Sequence, residues 1–210
     1  MSVHLHVKSP FIFREIRTRT ALHYGFWYED TKSLPEAILN TNKFVVGALA
    51  VDSNDTILDA GCGVGGSCIH LAETIGARVE GITLSDVQLN IARRRASNSA
   101  AVRLLSFSRQ DFCKTNFGKN TFSKVFGIES ICYAQRKTDF LLEAYRIMKP
   151  GGRIAVVDLF LTKENLNAQE MKIYTKTIKG LGSAEPVDSM RILRVPRASG
   201  IQECSIPRHA

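Results

Sequence analysis

The sequence predicts an α/β fold, a doubly wound three-layer sandwich around a parallel sheet. Short apolar runs alternate with longer stretches whose apolar residues recur at helical spacing. Strand, helix, strand, helix in this rhythm requires right-handed crossovers, and crossovers require parallel pairing. A glycine-rich turn, Asp59-Ala60-Gly61-Cys62-Gly63-Val64-Gly65-Gly66, joins the first strand to a following helix. Sheets of this kind bind ligands beyond the carboxyl ends of their strands, near the switch point. The candidate site therefore lies at the turns after Asp59, Ile82, Phe107 and Gly127.

The first strand is Thr56-Ile57-Leu58-Asp59. Cys68, Leu71, Ala72 and Ile75 then fall at helical spacing over Ser67 to Ile75, and Gly76 stops that helix. Arg78 to Ile82 reads as the second strand, Asp86 to Ser97 as a helix and Val102 to Phe107 as the third strand. Ser123 to Gly127 is the fourth strand. Thr138 to Met148 is a helix ended by Lys149-Pro150-Gly151-Gly152, and Arg153 to Asp158 is the fifth strand.

The 210 residues suit one α/β domain and are too few for two. Apolar residues at 44% and charged residues at 23% belong to an ordinary soluble protein. No apolar run approaches the eighteen or so residues that cross a bilayer, and Met1 to Thr20 lacks the pattern of a secretory signal. The cysteines (Cys62, Cys68, Cys113, Cys132 and Cys204) form no CxxC pair, so free thiols, a cytoplasmic location and no metal site are expected. The net charge of +8 raises the question of nucleic acid. Arg93-Arg94-Arg95 is read as the solvated face of a helix.

Glycines in the turn allow a tight bend and close approach of a ligand to the backbone. Dinucleotide-binding proteins share such turns, so the pattern alone is weak. The spacing GxGxGG, with an acidic residue two positions before the first glycine, is more informative. A carboxylate at Asp59 suits a ligand that carries an ammonium group better than a pyrophosphate.

Further segments add to this turn in order. Ile57 to Gly66 resembles the first motif of the class I S-adenosylmethionine-dependent methyltransferases. Val79-Glu80-Gly81-Ile82-Thr83-Leu84-Ser85-Asp86-Val87-Gln88 resembles the second motif of the branch that includes sterol, tocopherol and cyclopropane-fatty-acid methyltransferases. Arg109-Gln110-Asp111-Phe112 is similar to the adenine-binding motif after the third strand. Met148-Lys149-Pro150-Gly151-Gly152 is similar to the closing motif before the fifth. Leu22-His23-Tyr24-Gly25-Phe26-Trp27 resembles the aromatic segment that this branch lays over the cofactor. Together these segments cover roughly residues 20 to 160.

The resemblance implies a Rossmann-like methyltransferase sandwich, S-adenosyl-L-methionine as cofactor, and a small, lipophilic methyl acceptor such as a sterol, terpenoid or quinone. It implies cofactor contacts at Asp59, Gly61, Cys62 and Gly63. The acidic ribose ligand usual at the end of the second strand is replaced by Thr83, which in this branch shares the ribose with a glutamine five residues on, here Gln88. Gln88 on a solvent-facing helix surface is the alternative. Asp111 is expected at the adenine amine, with Phe112 offering its backbone N–H to the ring; a loop-capping aspartate is the competing role. Tyr24 and Trp27 are expected near the sulfonium, whose charge an aromatic face attracts, against burial of both in the core.

Methyl transfer asks mainly for in-line placement in a dry pocket. Glu129, just past the fourth strand, is the catalytic candidate, because in this branch an acid there can stabilise developing positive charge or take a proton. Its alternative is to hydrogen-bond a residue that touches the ligand rather than the ligand itself, and Tyr133 is a candidate lining residue for the acceptor pocket. Enzymes that methylate nucleobase amines carry an Asn/Asp-Pro-Pro-aromatic loop at this place. Ile128-Glu129-Ser130-Ile131 departs from it, which argues against nucleic acid.

The expected organisation is a cap segment over residues 1–45, the methyltransferase domain over 46–190 and an atypical tail over 191–210. Arg191, Arg194, Arg197 and Arg208 with Pro196 and Pro207 match no strand of the resembled fold. The closing strands of the sheet are therefore expected to be missing or altered. That tail motivates a second reading: a cofactor-binding but catalytically silent, regulatory or partner-binding protein. The sequence specifies neither the acceptor nor an oligomeric state.

Overall fold

A computed structural model describes residues 23–158, together with 167–169, 171–172 and 175. The segment before His23, Leu22 included, and the tail from Arg191 lie outside the described residues. The elements are α1 (Leu34–Leu49), β1 (Thr56–Ala60), α2 (Gly66–Ile75), β2 (Arg78–Thr83), α3 (Asp86–Ser97), β3 (Leu105–Arg109), β4 (Phe122–Ile128), α4 (Lys137–Ile147) and β5 (Met148–Val157). The five strands pair in the order β3-β2-β1-β4-β5. All four pairings are parallel. The order reverses between β1 and β4, so the switch point falls beside the glycine turn.

Alternation along the strands decides which helix covers which face. Ile57, Val79, Phe107 and Phe126 point to one side, where they pack with Val45 and Leu49 of α1, Leu71 of α2, and Leu89 and Ala92 of α3. Leu58, Ile82 and Val125 point to the other, against Phe140, Leu141, Ala144 and Ile147 of α4. Every residue of β1 but the first is buried, as a central parallel strand demands. At roughly 1.5–3 kcal/mol for each large apolar side chain, these two layers supply most of the drive to fold.

The helix over Leu34–Leu49 was not foreseen, although its start signals are present. Ser33 caps Glu36 N–H, a proline stands in the first turn, and Ala50 ends the helix in a left-handed conformation. The third strand begins later than expected, at Leu105. Val102–Leu104 forms a 3-10 turn instead, because Val102 N–H bonds to Ser99 O and Leu104 N–H to Ala101 O. The fifth strand begins earlier, at Met148, and takes in Pro150-Gly151-Gly152 across a register shift opposite Phe122 and Lys124. Such an irregularity lets a proline sit within a ladder. Among the described residues β5 has one strand neighbour, β4.

The arginine run is not simply a solvated helix face. Arg93 donates from Nε and Nη2 to Phe107 O, at 3.2 and 2.8 Å, and ties α3 to β3. Arg95 donates from Nη1 to Val64 O at 3.5 Å, within the glycine turn. No described helix is long and apolar enough to cross a membrane.

Candidate active site

The glycine turn is fastened on both flanks. Gly61 and Cys62 donate their N–H groups to Ile82 O, at 3.0 and 2.8 Å, which holds the turn to the end of β2. On the other flank Ser130 Oγ donates to Ala60 O at 2.6 Å, in a buried contact. Gly61 has φ +103°, and a Cβ there would collide with Ser130 Cβ, so only glycine fits. Gly63 differs: its φ is +54° and nothing lies within 4 Å of its Cβ position. The turn therefore presents an open side at Gly63. Gly65 caps α2 in a left-handed conformation without any side-chain hydrogen bond, which leaves amide N–H groups of the first helical turn without a side-chain cap.

Ser130 is a site residue that the sequence reading passed over. Its signal was a small hydroxyl residue two positions past the strand end. Ser130→Ala is expected to lower stability by roughly 1–2 kcal/mol, because the buried Ala60 carbonyl loses its partner. Urea denaturation reads this; an unchanged midpoint would show that the clamp is dispensable.

Asp59 lies beneath the turn, 3% exposed. Its Oδ2 accepts from Cys68 Sγ at 3.1 Å. Burial pushes its carboxyl up to about 7, against a smaller opposing effect of the Cys68 hydrogen bond. Cys62 and Cys68 are both free and buried, and burial, with Cys62 and the Asp59 carboxylate adding to it, raises the Cys68 thiol further.

At the end of β2, Thr83 Oγ1 donates to Gln88 Oε1 at 3.0 Å and accepts Ser85 N–H at 3.2 Å. Ser85 caps α3 by accepting Gln88 N–H. The two residues expected to share a ribose are thus brought together, one turn apart, beside the glycine turn. Asp111 is exposed, and its Oδ1 accepts Cys113 N–H at 2.8 Å, the loop-capping arrangement. Phe112 stacks edge-on against Phe140 with ring centroids 5.6 Å apart.

Tyr24 and Trp27 are 66% and 57% exposed, so burial in the core is not their role. Tyr24 N–H donates to Glu129 Oε1 at 3.0 Å and joins the N-terminal segment to the end of β4. Glu129 adopts φ +48°, rare for a residue with a side chain, and its own N–H bonds to Val157 O at 2.7 Å. Strained residues of this kind cluster at functional sites. Burial raises the Glu129 carboxyl; the Tyr24 N–H opposes this and the nearby Asp158 adds to it. Asp158 Oδ2 accepts Cys132 N–H at 2.8 Å. The buried Lys137 donates to Cys132 O and Ala134 O at 2.9 and 2.7 Å. Together they fix the loop that carries Tyr133, which is 40% exposed. No group of His, Cys, Asp or Glu among the described residues is arranged to hold a metal ion.

The site therefore has an open glycine turn, a hydroxyl–amide pair one strand away, and a strained carboxylate beyond β1 on the other side. The family described as "Methyltransferase domain" matches residues 57–152. A sterol 24-C-methyltransferase of Saccharomyces cerevisiae is 31% identical over 150 residues, covering 71% of this chain and 39% of its own. Over this domain the chain is similar to S-adenosylmethionine-dependent methyltransferases. Among solved structures, the [4+2]-cyclase SpnF superposes with a TM-score of 0.69 at 25% identity, over 74% of this chain and 57% of its own. A geranyl diphosphate methyltransferase, in complex with geranyl diphosphate and sinefungin, superposes with a TM-score of 0.63 at 26% identity, over 69% and 59%. The chain spans about half the length of the curated relatives it matches.

Proposed function

We propose that this protein binds S-adenosyl-L-methionine across the carboxyl ends of β2, β1 and β4, and transfers its methyl group to a small lipophilic acceptor. The observation that carries the reading is Glu129, held in a left-handed conformation at the strand end across from the glycine turn, with one carboxylate oxygen on Tyr24 N–H. The cofactor fits the residues present: Gly63 leaves its flank of the turn clear, and the Thr83–Gln88 pair offers both donors and acceptors to vicinal hydroxyls.

When bound, S-adenosylmethionine supplies an electrophilic methyl carbon on a sulfonium. Gly61, Cys62 and Gly63 shape the cradle for its methionine portion, with Asp59 acting from beneath the turn. Asp111 retains Oδ2 for the adenine amine, and Phe112 places its backbone beside the ring. Tyr24 and Trp27 close over the site and exclude water, their faces attractive to a cation. Glu129 holds its second oxygen toward the acceptor, where it stabilises positive charge or accepts a proton. Tyr133 lines the acceptor side. Sterol and geranyl diphosphate methyltransferases among the similar proteins support a lipophilic acceptor.

Isothermal titration with S-adenosylhomocysteine, followed by a labelled-methyl transfer screen of lipid extracts, tests the reading; absence of S-adenosylhomocysteine binding by folded protein would remove it. Thr83→Val should weaken S-adenosylhomocysteine roughly fivefold to tenfold, the value of one or two neutral hydrogen bonds. Unchanged affinity would move the ribose elsewhere.

A further inference from the structure

We infer that His23 is an acceptor-binding residue, supplying a hydrogen bond to a hydroxyl or similar uncharged polar group on an otherwise lipophilic acceptor. This rests on the methyl-transfer reading above and names one feature of the substrate. His23 is 7% exposed, and among the described residues neither Nδ1 nor Nε2 has a hydrogen-bond partner. A neutral imidazole carries one N–H and one lone pair. Buried polar groups are almost always paired, so a side chain lacking both partners calls for a specific explanation.

Its placement supplies that explanation. The next residue, Tyr24, is bound through its N–H to Glu129 at the end of β4. Phe26 N–H bonds to Ala37 O of α1 at 2.9 Å. Gly25 lies so close to Ala37 and Ile38 that a Cβ would come within 2.5 Å of backbone. The segment is thus pinned between α1 and the end of β4. α1 packs against β5, and its buried face carries Asn42, whose Oδ1 is the other buried side-chain atom without a partner among the described residues.

In the sheet order, the Thr83–Gln88 pair and the glycine turn occupy the ends of β2 and β1. The ends of β4 and β5 remain for the acceptor. Burial without a nearby compensating charge pushes the His23 imidazole down to about 4, so it is neutral at physiological pH. A neutral ring in such a place matches a hydroxyl. An anionic group would instead favour imidazolium, which this environment opposes.

The test uses the full chain, 15N-labelled and saturated with S-adenosylhomocysteine, and two probe pairs: a 3-hydroxysterol with its matched sterane, and geraniol with its matched hydrocarbon. The hydroxylated member of at least one pair should shift the His23 ring-nitrogen resonances and bind about fivefold or more tighter than its hydrocarbon partner. His23→Leu should abolish that preference while leaving hydrocarbon and S-adenosylhomocysteine affinity unchanged, and His23→Asn should retain part of it. Ring resonances that neither hydroxylated probe moves, or a preference that survives in His23→Leu, would overturn the inference. If His23→Leu fails to fold, the wild-type resonances and His23→Asn decide. Loss of S-adenosylhomocysteine binding by the wild type is a different failure, that of the cofactor reading itself.

Discussion

Glu129→Gln should lower the rate of methyl transfer by about a hundredfold while leaving S-adenosylhomocysteine affinity within about twofold of wild type. The amide keeps the size of the side chain, and its oxygen can still accept Tyr24 N–H, so the join between the N-terminal segment and β4 survives. What is lost is the charge and the basic lone pair. In a half-buried site a carboxylate aimed at developing positive charge acts with little screening, which is why the effect falls on turnover. The raised carboxyl adds a pH signature. Burial raises Glu129, and Asp158 adds to this, so the wild type should lose activity on acidification at a pH above the ordinary carboxylate range. The residual activity of Glu129→Gln should lack that limb. Single-turnover rates and titration with S-adenosylhomocysteine separate the two quantities. If Glu129→Gln loses cofactor binding as badly as turnover, Glu129 belongs to the cofactor shell.

The fold was legible where periodicity is strong. Apolar runs at Ile57-Leu58, Val79 and Ile82, and Val125-Phe126 mark strands whose burial on both faces leaves no doubt of their place in a parallel sheet. Helix α3 was bounded correctly because Ser85 and Asp86 begin it and polar residues end it. Boundaries failed where short-range hydrogen bonds compete with the ladder: the 3-10 turn before β3 and the irregular entry of Pro150 into β5. Helix α1 was legible only in hindsight from Ser33 and Pro35, since its apolar stripe is broken by Thr41 and Asn42 on the buried side. The glycine turn was readable because backbone shape demands glycine at fixed spacings. The contacts around the end of β4 were not, because they join residues far apart in sequence: Tyr24 with Glu129, Ser130 with Ala60, Cys132 with Asp158. The orphaned ring of His23 has no sequence signal at all, since a missing partner shows only in three dimensions.

Asp59 should separate from Glu129 by its dependence on pH. Burial pushes the folded carboxyl from 3.8 up to about 7. Between those values the unfolded chain has released this proton and the folded chain has not, so the contribution of Asp59 to stability falls as pH rises through the window. Above about 7 the folded protein bears the full cost of a buried carboxylate, on the order of 4 kcal/mol at most. Asp59→Asn stays neutral and can still accept from Cys68 Sγ. Relative to wild type it should therefore gain stability by a few kcal/mol between pH 4.5 and pH 8, as read by urea denaturation at both values. Cofactor binding runs the opposite way. The ammonium of S-adenosylhomocysteine favours an ionised carboxylate beneath the turn, so wild-type affinity should rise roughly tenfold between pH 6 and pH 8. Asp59→Asn should bind about tenfold more weakly at pH 8 and show no such rise. One residue would then trade stability of the empty protein for affinity toward the cationic end of its ligand, which is the reason to place a carboxylate where burial disfavours its charge. Parallel pH profiles of affinity in wild type and variant would show that Asp59 does not sense the ligand, and would leave it a purely structural group under the turn.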